Sequence, residues 1–164
     1  MAMTEQWGEP SPVEVPRELR QAVGGHPLVA ETLVRRGICT VAEARAFLDP
    51  DCYDPTVPEA MPGMVEAVTR LRRALGEGER ILVWGDFDVD GQTSTTLLVS
   101  ALRDLGGDVL YHIPIRATES HGMRLPWAAE ELNRGVDLVL TCDTGVDAHE
   151  AIAYANDRGV DVII

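Results

Sequence analysis

The chain has 164 residues, 45% of them hydrophobic, which suits one domain with a substantial core or one domain plus an appendage. Its 14 basic against 27 acidic residues give a net charge of −13, the reverse of the electropositive footprint of a simple nucleic-acid-binding module. No run approaches the roughly 20 apolar residues of a membrane span, the polar start lacks the apolar core of a secretory signal, and three cysteines without Cys-x-x-Cys spacing indicate neither a disulfide framework nor a zinc knuckle. The expected setting is therefore the cytoplasm, with reduced thiols and no membrane partner.

Residues 1–16 contain Pro10, Pro12 and Pro16 among polar residues and read as a flexible lead. Residues 17–76 read as a small helical N-terminal region. Within it, Pro27 suits the first turn of a helix that ends at Gly37, and Thr40 with Glu43 has capping-box spacing for a helix over 41–48. Asp49 to Gly63, with Pro50, Pro55, Pro58 and Pro62, is a connector, and Met64 to Leu75 has helical spacing of Val65, Val68, Leu71 and Leu75 with a stop at Gly76.

Beyond this the rhythm alternates: β 81–85, α 92–105, β 108–113, α 126–134, β 136–142, α 147–158 and β 160–164. Gly106, Gly135 and Gly159 stand ready as left-handed helix stops. Alternation of this kind predicts an α/β fold, a parallel sheet with flanking helices over residues 77–164.

The apolar run Ile81-Leu82-Val83-Trp84 delivers Asp86, Asp88 and Asp90 into a turn. Carboxylates crowded together repel, and a divalent cation relieves the repulsion. The spacing also begins an EF-hand calcium loop, but that loop needs Glu at its twelfth position, which here is Leu97, and a helix in front of it, where this chain has β-formers. An Asp-rich turn that merely caps the next helix remains an alternative, with Thr93 or Ser94 as competing cap residues. A surplus of acid is compatible with phosphoester chemistry, because bound cations reverse the charge locally.

A second apolar run, Leu138 to Thr141, delivers Asp143 to its end. Right-handed crossovers bring successive strand ends to one edge of a sheet, so Asp143 is a candidate to join the first cluster; the alternative is an N-cap for a helix starting near Val146. Between the two lies Ile113-Pro114-Ile115-Arg116-Ala117-Thr118-Glu119-Ser120-His121-Gly122, where Arg116 is either a phosphate ligand or a solvated loop residue. His121 is either an acid, base or ligand or simply an exposed loop residue, and His26, His112 and His149 read as ordinary histidines.

Gly85-Asp86-Phe87-Asp88-Val89-Asp90-Gly91-Gln92-Thr93-Ser94, Ile113-Pro114-Ile115-Arg116 with Glu119 and Gly122, and Thr141-Cys142-Asp143-Thr144-Gly145 together resemble, in order and separation, the DHH phosphoesterase superfamily, and specifically its RecJ-type single-strand DNA exonucleases. His26-Pro27-Leu28 and Arg36-Gly37-Ile38 resemble the N-terminal region of that type. The resemblance implies a truncated DHH-type phosphoesterase domain in which Asp86, Asp88, Asp90 and Asp143 are the catalytic metal ligands for Mn2+ or Mg2+, two ions in the complete site. It also implies water attack on a phosphodiester of single-stranded DNA, in the 5′-to-3′ direction, during repair and recombination, with a single-strand-binding protein or helicase as possible partners. Phe87 stands where Tyr is usual, Ser120 and His121 where Gly and Tyr are common, and Trp84 where some members have His. The Asp-His-His motif that names the superfamily would follow Ile164, so the expectation is a chain inactive alone. The rival expectations are a DHH phosphoesterase of oligonucleotides or cyclic dinucleotides, and a non-catalytic nucleic-acid-binding member.

Overall fold

The structure, a computed structural model, describes residue 8 and residues 10–164. It divides into two compact units, one ending at Val57 and one spanning Pro58–Ile164. Residues 1–7 and 9 of the expected flexible lead lie outside the described residues.

The first unit holds helices α1 (Arg17–Val23), α2 (Pro27–Arg35) and α3 (Val41–Leu48). They close on Leu19, Ala30, Leu33 and Ala44, and Val15 is buried with them. The end of the expected lead is thus part of this unit: Val13 packs against the same cluster that buries Val15, and Arg35 donates to the Ser11 carbonyl at 2.7 Å. Thr40 and Glu43 form the expected capping box, with Glu43 N–H on Thr40 Oγ1 at 3.2 Å and Thr40 N–H on Glu43 Oε2 at 3.0 Å. His26 caps α2, its ring nitrogen accepting from Leu28 N–H.

The second unit runs α4 (Met64–Glu77), β1 (Arg80–Trp84), α5 (Val89–Asp104), β2 (Asp108–His112), α6 (Leu125–Leu132), β3 (Leu138–Thr141), α7 (His149–Asn156) and β4 (Asp161–Ile163). The strands are parallel in the order β2-β1-β3-β4. Helix α4, grouped with the N-terminal helices in the sequence reading, belongs to this unit, because Ala74 packs against Ile81 and Val83 of β1. It also passes through Gly76, the expected stop, and ends where Gly78 turns left-handed at φ 71°.

Alternate residues of β1 serve opposite layers. Ile81 and Val83 pack with α4 and α5, and Leu82 and Trp84 with α6 and α7. Both faces are covered, so the strand needs an unbroken apolar run, and all four side chains are 1% exposed or less. Burial of each such side chain contributes about 1.5–3 kcal/mol.

The chain leaves β1 for β2 on one side and returns to β3 on the other. The sheet therefore has its topological switch point between β1 and β3, where the carboxyl ends of the strands open a crevice for ligands. Among the described residues, no helix is long and apolar enough to cross a membrane.

Candidate functional site

Trp84 is paired in register with Thr141, so Asp86 and Asp143 lie two residues beyond the same rung of adjacent strands. Cys142 N–H on the Trp84 carbonyl, at 3.0 Å, extends the pairing one step toward the crevice.

Asp86 is half-buried and accepts from Phe87 N–H at 2.7 Å. Asp88 caps α5, its Oδ1 accepting from Gly91 N–H at 2.9 Å. The helix consequently starts at Val89, three residues before the expected position. Thr93 and Ser94 are not its caps, since their hydroxyls fold back on the Val89 and Asp90 carbonyls as helix-interior residues do. Asp90 sits in the first turn, where the unpaired N–H groups favour an anion. Capping thus employs Asp88 and leaves Asp86 and Asp90 to be explained otherwise.

Gly91 lets helix and loop meet. A Cβ there would lie 2.4 to 2.6 Å from the backbone O, N and C of Asp86. Gly85 is confined in the same way, with Thr95 Oγ1 at 1.9 Å from its notional Cβ.

Asp143 lies at φ 58°, a left-handed conformation that Asp tolerates better than most residues. Gly145 follows at φ 104°, and a Cβ there would meet Thr141 Oγ1 at 2.6 Å. Helix α7 begins only at His149, with Ala148 at its cap, so Asp143 does not cap a helix near Val146. Loss of hydration, then the like charges of Asp88, Asp90 and Asp86, and a hydrogen bond with Asp88, hold the exposed Asp143 carboxyl above the usual Asp range. The four carboxylates act on one another through space. Among the described residues no three His, Cys, Asp or Glu side chains adopt metal-ligand geometry.

Arg116 is exposed, with its guanidinium 5.0 Å from the centroid of the Phe87 ring, which places the second loop beside the first. His121, Arg124, Asp147, His149 and Glu150 border a polar cleft of about 400 Å3. His112, an ordinary histidine in the sequence reading, is half-buried, stacks on Trp84 with centroids 4.1 Å apart, and bonds to Glu119 at 2.7 Å. The one sequence signal for that pair was the presence of Glu119 in the loop motif.

A parallel sheet covered on both faces, with carboxylates at its switch point, defines an α/β domain of the open-sheet class. The profile of the DHH family, N-terminal domain, matches residues 80–164, more than half of the sequence, and the chain belongs to that family. It is 40% identical over 141 residues to the single-stranded-DNA-specific exonuclease RecJ of Bacillus subtilis, covering 84% of this chain and 18% of that protein. To the RecJ of Thermus thermophilus it is 36% identical over 148 residues, covering 90% and 21%. Among solved structures it matches exonuclease RecJ bound to manganese with TM-score 0.61 and 39% identity, over 66% of this chain and 28% of that one. It also matches RecJ in complex with Mn2+ from Thermus thermophilus with TM-score 0.57 and 32% identity, over 92% and 21%. The chain spans about a fifth of the length of these curated relatives.

Proposed function

We propose that this chain is the metal-binding part of a 5′-to-3′ exonuclease that hydrolyses phosphodiester bonds of single-stranded DNA in repair and recombination. Asp86, Asp88, Asp90 and Asp143 are its ligands for Mn2+ or Mg2+, two ions in the complete site. The observation that carries this reading is the meeting of Asp143 with the Asp86–Asp90 loop at the β1/β3 switch point of a DHH domain. The relatives of that domain bear the name of single-strand exonucleases, and two solved ones hold manganese. They favour the exonuclease over both rival expectations.

The donor set fits a hard divalent cation. All four groups offer carboxylate oxygens, and the like charges of Asp88, Asp90 and Asp86 disfavour the ionised form of Asp143 in the absence of a counter-charge. A bound cation supplies neutralisation of the charge that builds on the phosphoryl oxygens.

The chain's own residues do the remainder. Asp88 keeps one oxygen on the Gly91 N–H and leaves the other for the crevice. The first turn of α5 adds oriented N–H groups that favour an anionic substrate. Arg116, its guanidinium over the Phe87 ring and exposed, offers N–H donors to a phosphate. A single-strand-binding protein or a helicase is the class of partner that would present such a substrate.

The test is manganese-dependent degradation of single-stranded against duplex DNA by the gene product that carries this sequence, beside its Asp88→Ala variant. Strong single-strand activity that the variant loses is the expected result. Equal activity in the variant, or a preference for dinucleotides over longer strands, overturns the reading.

A further inference from the structure

The segment after β2 is held at both ends by groups that have no part in the carboxylate crevice. Pro114 is fully buried and fixes the exit from the strand. The Ile115 carbonyl then accepts from Thr118 N–H at 3.0 Å and from Glu119 N–H at 2.8 Å, closing a tight turn with Arg116 at its first corner.

Glu119, 9% exposed, sends its carboxylate back to the strand, where Oε2 meets His112 Nε2 at 2.7 Å. His112 is itself fixed on two further sides. Its ring stacks on Trp84 at an interplanar angle of 25°, Nδ1 faces Glu131 Oε1 at 3.4 Å, and Arg134 holds the other Glu131 oxygen at 2.6 Å. A carboxylate in so little water is costly unless a donor meets it, so the His112–Glu119 contact governs where the turn settles. The outward product of that turn is the Arg116 guanidinium over Phe87, a residue of the Asp86–Asp90 loop.

We propose that His112 and Glu119 are positioning residues: together they lock the Ile115–Glu119 turn so that Arg116 is held against Phe87, at the height needed to grip a nucleic-acid phosphate beside the carboxylate crevice. The proposal rests on Arg116 as the phosphate ligand. Neither residue touches the substrate; both act through the turn.

Two measurements on this chain test it. In arginine Nε–Hε NMR spectra, the Phe87 ring current shifts the Arg116 signal away from those of the other arginines. Glu119→Ala and His112→Phe, the latter keeping the stack on Trp84, return it to the common position, and Glu119→Gln, which keeps the hydrogen bond, leaves it shifted. An Arg116 signal that stays in place in Glu119→Ala overturns the positioning role.

The second is fluorescence anisotropy of a labelled single-stranded oligonucleotide with Mn2+ present. Arg116→Ala weakens binding about tenfold, Glu119→Ala weakens it by a similar factor, and the double variant is no weaker than Arg116→Ala alone. A full additional loss in the double variant means that Glu119 supports binding by another route, and it refutes the proposal. Unchanged affinity in Arg116→Ala removes the phosphate role of Arg116, and with it the purpose assigned to the turn, while the NMR result still decides whether His112 and Glu119 set its position.

Discussion

Replacing Gly91 by Ala sets two known effects against each other. Gly91 is the third residue of α5 and has an ordinary helical φ, so the exchange alone favours the helix by about 0.8–1.0 kcal/mol. Opposing it, the new Cβ would sit 2.4, 2.5 and 2.6 Å from the O, N and C of Asp86. All three are backbone atoms that no rotamer change moves aside, so loop and helix must separate by about 1 Å to reach ordinary contact. Overpacking of this kind costs about 1–3 kcal/mol, and three rigid contacts place this case at the upper end, for a net loss of about 1–2 kcal/mol. With about 4–8 °C per kcal/mol for a domain of this size, the melting temperature falls by roughly 4–15 °C. The same displacement carries Asp86 away from Asp143, so Mn2+ affinity measured by titration calorimetry falls as well. An Ala variant as stable as the parent, with unaltered Mn2+ affinity, would refute the claim that close approach at Gly91 builds the crevice.

Asp88 separates capping from charge. Asn caps about as well as Asp, so Asp88→Asn keeps the melting temperature near that of the parent and weakens Mn2+ binding, whereas Asp88→Ala loses both the binding and about 1 kcal/mol of helix stability; thermal unfolding with and without Mn2+ distinguishes them. Asp143 has a raised folded-state pKa, so its ionised form opposes folding: native protein binds the proton more tightly than unfolded chain, and stability declines as pH rises through the ordinary Asp range toward the raised value. In EDTA at neutral pH, Asp143→Asn therefore raises the melting temperature, the gain disappears once the pH is low enough to protonate the carboxyl in both states, and Mn2+ affinity drops. Asp161, held below the usual carboxylate range by the hydrogen bond and charge of Arg70 and by Arg73, works in the opposite sense. Its contribution is present at neutral pH and is lost as pH falls through the depressed value. Because its side chain is 55% exposed, Asp161→Asn costs at most about 1 kcal/mol in urea unfolding at pH 7 and nothing at strongly acidic pH.

Much of the fold and of the site was legible in the residues themselves. The buried run Ile81–Trp84 and the helix stops at Gly106, Gly135 and Gly159, all left-handed, are local matters, and they stand where periodicity and turn chemistry put them. The carboxylate spacing was equally plain. Where local rules competed, the outcome was less readable: Asp88, Thr93 and Ser94 could each cap a helix, and Asp88 prevailed because Gly91 allows the helix to start against the Asp86 backbone. Gly76 and Gly78 competed for the end of α4, and only the second adopts the left-handed turn.

By itself, then, the sequence determined an alternating α/β chain with acidic side chains at two strand ends, because propensity, capping and apolar period act over a few residues. Tertiary structure alone decided that β1 and β3 are neighbours while β2 lies outside them, which brings Asp143 to the Asp86–Asp90 loop. It alone also turned Glu119 inward to His112 and laid Arg116 on Phe87. Strand order follows from how the crossover helices cover the two faces of the sheet, and a buried carboxylate follows from the donor that waits for it; both are contacts between distant parts of the chain that no local pattern encodes.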